Sequence, residues 1–159
     1  MGERMELIEK APAKINLGLD VLYRRQDGYH ELEMVMSSVD LADRLIMEEI
    51  AEDKIIIETN KAFLPIDKRN NVYQAASILK KRYGIKKGIR IRITKNIPVA
   101  AGLGGGSTDC AAALRGMVRL WDLDLSMAEL IDIGMEAVSY THLTLPTILT
   151  CRSRWSPYH

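Results

Sequence analysis

Two periodicities, followed along the chain, predict one α+β domain over residues 1–137. Apolar residues alternate with polar ones through much of the first 59 positions and again at 89–94, which is the period-two pattern of strands. Stripes at helical spacing occupy 72–83, a stretch from about 107 to 121, and 126–136. Strands that gather mostly ahead of the helices, with no strict alternation, mark an α+β fold. The third observation is a glycine cluster between the last strand and the second helix. Pro98-Val-Ala-Ala-Gly-Leu-Gly-Gly-Gly-Ser-Thr-Asp109 holds four of the eleven glycines.

The first strand, residues 13–22, puts Ile15, Leu17, Leu19 and Val21 on one face and Lys14, Asn16, Gly18 and Asp20 on the other. The apolar face is expected to be buried. Lys14 and Asn16 then stand side by side, roughly 6–7 Å apart. Their face reads as solvated surface or as the wall of a site; Gly18 leans toward a site, since a strand glycine often marks close approach of a ligand. Asp27-Gly28 is a hairpin signal. Tyr29 and His30 open the return strand, where Leu32, Met34 and Met36 alternate with Glu31, Glu33 and Val35. Such an aromatic–imidazole pair could cap the core, or stack on a planar base and bond its edge.

Residues 45–49 and 54–59 read as separate strands. Asn70-Asn71 precede a helix over 72–83 with Val72, Ala75, Ala76 and Leu79 as its apolar stripe. Lys80, Lys81 and Arg82 suit its C-terminal dipole, and Gly84 stops it. Strand 89–94 turns Arg90 and Arg92 outward and leads through Lys95 and Pro98 into the glycines. Cys110, Leu114, Met117, Val118 and Trp121 carry the second helix, whose first turn includes Asp109. Ser126 and Glu129 form a capping box for the third.

Composition limits the function classes. A net charge of +1 with 27% charged residues gives no reason to invoke nucleic acid or an anionic membrane. Cys110 and Cys151 are too few for a disulfide framework or a zinc site, and no metal-ligand cluster is predicted. Without an export signal or a long apolar run, the expected location is cytoplasmic. The glycine cluster itself points to an anion. Backbone N–H groups unobstructed by Cβ atoms, at the N-terminus of a helix, form a ready phosphate site. Neither common phosphate motif fits, because Gly106 stands before Ser107 where a P-loop needs Lys, and Ser107 stands where a dinucleotide fingerprint needs its third Gly.

The glycine loop resembles the ATP loop of the GHMP kinases, the superfamily of galactokinase, homoserine kinase and mevalonate kinase. Ala11-Pro-Ala-Lys-Ile-Asn-Leu-Gly-Leu19 followed by Asp27-Gly-Tyr-His-Glu31 is similar to the branch of that family that phosphorylates a cytidine-diphosphate-linked methylerythritol in the non-mevalonate isoprenoid route. The resemblance spans roughly residues 7–137. It implies the GHMP N-terminal fold, akin to the second domain of ribosomal protein S5: a mixed β-sheet with helices on one side. A complete member adds a ferredoxin-like C-terminal domain that has no counterpart here. It also implies ATP as donor, Mg2+, and the 2-hydroxyl of the small-molecule substrate as acceptor. Lys14 would favour the acceptor alkoxide and Asn16 would hold the substrate, while Tyr29 stacks on the cytosine and His30 bonds its edge. Asn71 and Lys95 would lie near the nucleotide, with Pro98, Gly102, Leu103, Gly104, Gly105, Gly106, Ser107 and Thr108 around its phosphates. Another GHMP kinase, of homoserine or mevalonate type, and a non-catalytic nucleotide-binding module are the alternatives.

The resemblance stops at Ala137. Tyr140 stands where the family's catalytic Asp is expected, and a phenol is a poor base at neutral pH. Residues 138–159 contain no Asp or Glu, against 21 before them. Val138-Ser-Tyr-Thr-His-Leu-Thr-Leu-Pro-Thr147 is similar to translated adaptor read-through, so residues 138–159 are expected to be a non-native tail on an inactive, truncated chain.

Overall fold

The computed structural model describes residues 5–28 and 30–142, the last three of them as backbone only. Four strands, β1 (Glu6–Arg24), β2 (His30–Ile50), β3 (Ile55–Thr59) and β4 (Gly88–Thr94), form a sheet in the order β1-β2-β4-β3. β1/β2 and β2/β4 are antiparallel and β3/β4 is parallel, so the sheet is mixed as expected. The parallel pair needs a crossover, which α1 (Asn71–Tyr83) supplies. α2 (Gly105–Leu120) and α3 (Met127–His142) complete the helical layer.

Strand alternation explains why the helices share one face. Leu45 and Met47 of β2, Ile57 of β3 and Ile89, Ile91 and Ile93 of β4 are buried against Val72, Ala75, Ala76 and Leu79 of α1 and Cys110, Ala113, Leu114 and Met117 of α2. The opposite face carries a charged ladder in which Arg92 pairs with Glu6 at 2.6 Å and Arg90 with Glu48 at 2.6 Å. α2 lies close to the sheet because Gly116 sits over Met47, where any Cβ would collide with the Met47 Cε. α1 has Asn70 as N-cap, its side chain accepting the Val72 N–H at 2.8 Å, and Gly84 closes it. The capping box of α3 forms as read: the Ser126 N–H donates to Glu129 at 2.8 Å and the Glu129 N–H to the Ser126 Oγ at 3.2 Å.

Four expectations need correction. The strands read at 30–36 and 45–49 are one continuous β2, and β1 begins at Glu6. The apolar face of residues 15–21 is not buried: Leu17 is 66%, Leu19 51% and Val21 60% exposed. Past Lys14 the β1–β2 pair runs on as a two-stranded ribbon that no described helix covers, and register shifts at Asn16/Gly18 and Val21/Tyr23 interrupt its alternation. The third concerns α2, which starts at Gly105, two residues earlier than read, so Asp109 sits beyond the first turn and is buried. α3 also runs beyond 136, and Val138 packs against the core. Residues 143–159, most of the expected tail, lie outside the described residues.

Candidate functional site: a glycine-walled cleft at the start of α2

The glycine loop and the residues ahead of α1 enclose a cleft of about 380 Å³. Its wall includes Asn71, Lys95, Pro98, Gly102, Leu103, Gly104, Gly105, Gly106 and Ser107, nearly all the residues the sequence placed around a nucleotide. Thr108 is not on that wall; its N–H makes the first helical bond, to the Gly104 carbonyl at 2.9 Å. Gly104 is the N-cap of α2 and has no side chain to cap it. The N–H groups of Gly105, Gly106 and Ser107 therefore precede the first helical bond and point out of the helix end, where its dipole favours an anion.

Each glycine has its own reason. Gly104 has φ +70°, and a Cβ there would lie 3.1 Å from Cε and Cγ of Lys14. A Cβ on Gly105 would lie 3.1 Å from the Lys95 Nζ, and one on Gly106 3.2 Å from the Asn71 Nδ2. The predicted lysine of β1 thus lies across the predicted loop. The Lys14 N–H also donates to the Leu103 carbonyl at 3.1 Å, at a register shift between Pro12 and Lys14 where the ladder with β2 is broken. Ala100, a non-glycine at φ 60°, marks strain at the loop's start that the sequence does not announce.

Beneath the loop lies a cluster that motif reading missed. Lys95, predicted near the nucleotide, donates from Nζ to Asp43 Oδ2 at 2.5 Å and Asp109 Oδ2 at 2.7 Å. All three are buried, with exposures of 6%, 0% and 4% for Lys95, Asp43 and Asp109. Asp43 Oδ1 accepts the N–H groups of Asn96 (2.6 Å) and Ile97 (2.8 Å), the residues leading into the loop. Burial opposes the Asp43 charge, but hydrogen bonds with Asp109, Ile97, Lys95 and Asn96 outweigh it and hold its carboxyl below the usual range. Burial and the neighbouring Asp43 push Asp109 up to about 7 against the pull of Lys95. Burial works against the charge of Lys95, yet its two carboxylates hold its pKa above the usual value. An Asp in a β2 segment rich in charge carries no sequence signal for such a role. Asp109, read as a helix-start charge, gave only half of one.

The acceptor-side residues fall elsewhere. Asn16 is exposed on the ribbon, opposite Met36, and His30 is exposed at its far end, opposite Arg24. Lys14 pairs with Ser38, so His30 stands eight residues of β2 away, at most about 26 Å if the strand were straight. Tyr29 and the Tyr140 side chain lie outside the described residues.

The sequence profile described as GHMP kinases N terminal domain matches residues 70–146. A 4-diphosphocytidyl-2-C-methyl-D-erythritol kinase of Enterococcus faecalis is 64% identical over 132 residues, 83% of this chain and 47% of that protein. Residues 70–146 thus match a GHMP kinase N-terminal domain, and the chain is similar to kinases of that family over most of its length. A second kinase of the same name, from Bacillus subtilis, is 57% identical over 132 residues, again 83% of this chain and 46% of its own length. The crystal structure of a 4-(cytidine 5'-diphospho)-2C-methyl-D-erythritol kinase superposes with TM-score 0.69 at 36% identity, over 87% of this chain and 49% of that one. A homoserine kinase from Cytophaga hutchinsonii, at TM-score 0.70 and 18% identity over 91% of this chain and 44% of that one, shares the GHMP fold. The chain spans about half the length of these relatives, and the GHMP profile runs past residue 137 to 146.

Proposed function

We propose that this chain is the nucleotide-binding half of an ATP-dependent kinase that phosphorylates the 2-hydroxyl of a cytidine-diphosphate-linked methylerythritol. The observation that carries the reading is the uncapped start of α2, three amide donors facing a cleft with Lys14 laid across Gly104. Phosphoryl transfer asks for positioning and charge stabilisation more than for covalent chemistry. The Gly105, Gly106 and Ser107 amides would hold phosphate oxygens, with Gly102 and Leu103 in the same wall and Asn71 on the adenosine side. Lys14, reaching the loop from β1, would offset charge at the acceptor oxygen, and Asn16 would orient the acceptor. Magnesium would enter with the nucleotide, held mainly by its phosphates, and would neutralise charge on the transferring group.

The spacing of the acceptor residues supports an elongated substrate. A cytosine held by His30 at the ribbon's tip, with Tyr29 proposed to stack on it, and a hydroxyl held near Lys14 at the root, suit two ends joined through a diphosphate. Such a substrate is a proposal carried by the relatives' names; the cytoplasmic location is a proposal of the sequence alone. Residues 138–159 are proposed to be non-native, with Tyr140 replacing the carboxylate that would take the hydroxyl proton. The described part of that segment continues α3 without a break.

Equilibrium binding tests the assignment. The purified chain should bind ADP, and separately bind cytidine diphosphate in a manner weakened at least tenfold by His30→Ala. Phosphoryl transfer to the cytidyl substrate should be undetectable in a coupled assay. ADP binding without any cytidine preference would favour an acceptor of homoserine or mevalonate type, and turnover near that of a full-length relative would sink the truncation reading.

A further inference from the structure

Two carboxylates and one ammonium are buried together beneath a cleft built to receive an anion. With both carboxylates ionised, the cluster holds one excess negative charge, in a place where water cannot screen it. Asp109 lines the cleft, and its Oδ1 is buried with no hydrogen-bond partner among the described residues. Asp43, by contrast, is fully engaged: one oxygen takes two loop amides and the other takes Lys95. The cluster also spans both ends of the loop, since Lys95, Asn96 and Ile97 lead into it and Asp109 follows it on α2.

We propose that Asp43, Lys95 and Asp109 are positioning residues of the cleft: they fix both ends of the phosphate loop and take up one proton, at Asp109, as the cleft fills. An arriving phosphate adds negative charge over a cluster already carrying one in excess. The group with the least compensation gives way, and that is Asp109. Its neighbours on every packed element agree with this assignment. β2 presents the carboxylate of Asp43, and the residue that follows β4 is Lys95, which is shared between two acids. On α2 the adjacent Cys110 is a neutral thiol that burial pushes up to about 12. From β1 the Lys14 chain lies across Gly104. Arg69, ahead of α1 on the cleft wall, is paired with Asp67 at 2.8 Å. Asp109 free of ligand sits at about 7, so proton uptake falls above neutrality, where nucleotide phosphates with a second ionisation near 6 are already charged.

The inference rests on the cleft's binding phosphate, and the experiment separates the two. ADP binding to the full 159-residue chain is measured by calorimetry between about pH 7 and 9, in buffers of differing ionisation enthalpy. Uptake approaching one proton is expected, with affinity weakening by up to about tenfold per pH unit. Asp109→Asn should abolish the uptake and bind ADP independently of pH, at least as tightly as the parent at pH 8.5. A merely structural cluster would change the melting temperature without altering proton uptake. ADP binding by the parent chain with no uptake overturns the inference alone, whether or not the variant folds; absence of ADP binding at every pH overturns the phosphate reading and this with it.

Discussion

At the scale of single residues, the cleft depends on contacts that leave no room for substitution. Gly104→Ala places a methyl against the Lys14 stem at a φ of +70°, which L side chains rarely adopt. The expected result is a loss of ADP affinity of tenfold or more, with a drop in stability of about 1–2 kcal/mol by thermal melting. Asp109 yields a signed prediction. Its folded value near 7 stands above the unfolded carboxyl value of about 3.9, so between these the native chain holds a proton that the unfolded chain does not. Stability is therefore lost as pH rises from about 4 to 7, and the full cost of ionising the buried acid is present above 7. Asp109→Asn should leave the melting temperature little changed at pH 5 and raise it at pH 8. Asp43 has the opposite sign: lowered in the native state, its contribution is lost as pH falls through its folded value. Sequence patterns exposed the glycines and Lys14 because their chemistry is written in spacing. Asp43 was invisible because its role comes from a strand 52 residues from Lys95, joined only by tertiary structure.

At the scale of elements, local signals held where the physics was local. The Ser126–Glu129 capping box and the Asn70 cap need only neighbouring residues, and the helices they open are where the sequence placed them. Ser126→Ala should cost about 1 kcal/mol, read as a lower midpoint in denaturant melts. Gly88 is a stricter case. A Cβ there would strike the backbone carbonyls of Glu52 and Lys54 at the start of β4, and backbone cannot rotate away as a side chain can. Gly88→Ala is expected to destabilise by roughly 1–3 kcal/mol or more, again by denaturant melting. The β1–β2 ribbon misled the reading for a physical reason. Alternation records which residues an element buries in its complete surroundings, and Leu17, Leu19 and Val21 keep that record although no described element covers them.

At the scale of the molecule, the uncovered ribbon sets how the chain behaves in solution. Leu19 lies opposite Met34 and Val21 opposite Leu32, so the ribbon offers an apolar strip to other copies. The 159-residue chain should bind a hydrophobic dye and scatter light at concentrations where Leu19→Lys combined with Val21→Thr stays clear; equal scattering from both would remove the ribbon as its cause. The buried thiol of Cys110 offers a view of the same molecule in time. Cys110 packs between α2 and the sheet, and its proton is held up to about 12, so no reagent can reach or activate it while the domain stays closed. In a Cys151→Ser background its alkylation becomes a clock for opening of the whole core. Nucleotide bound at the N-terminus of the same helix should slow that clock in proportion to the occupancy of the cleft.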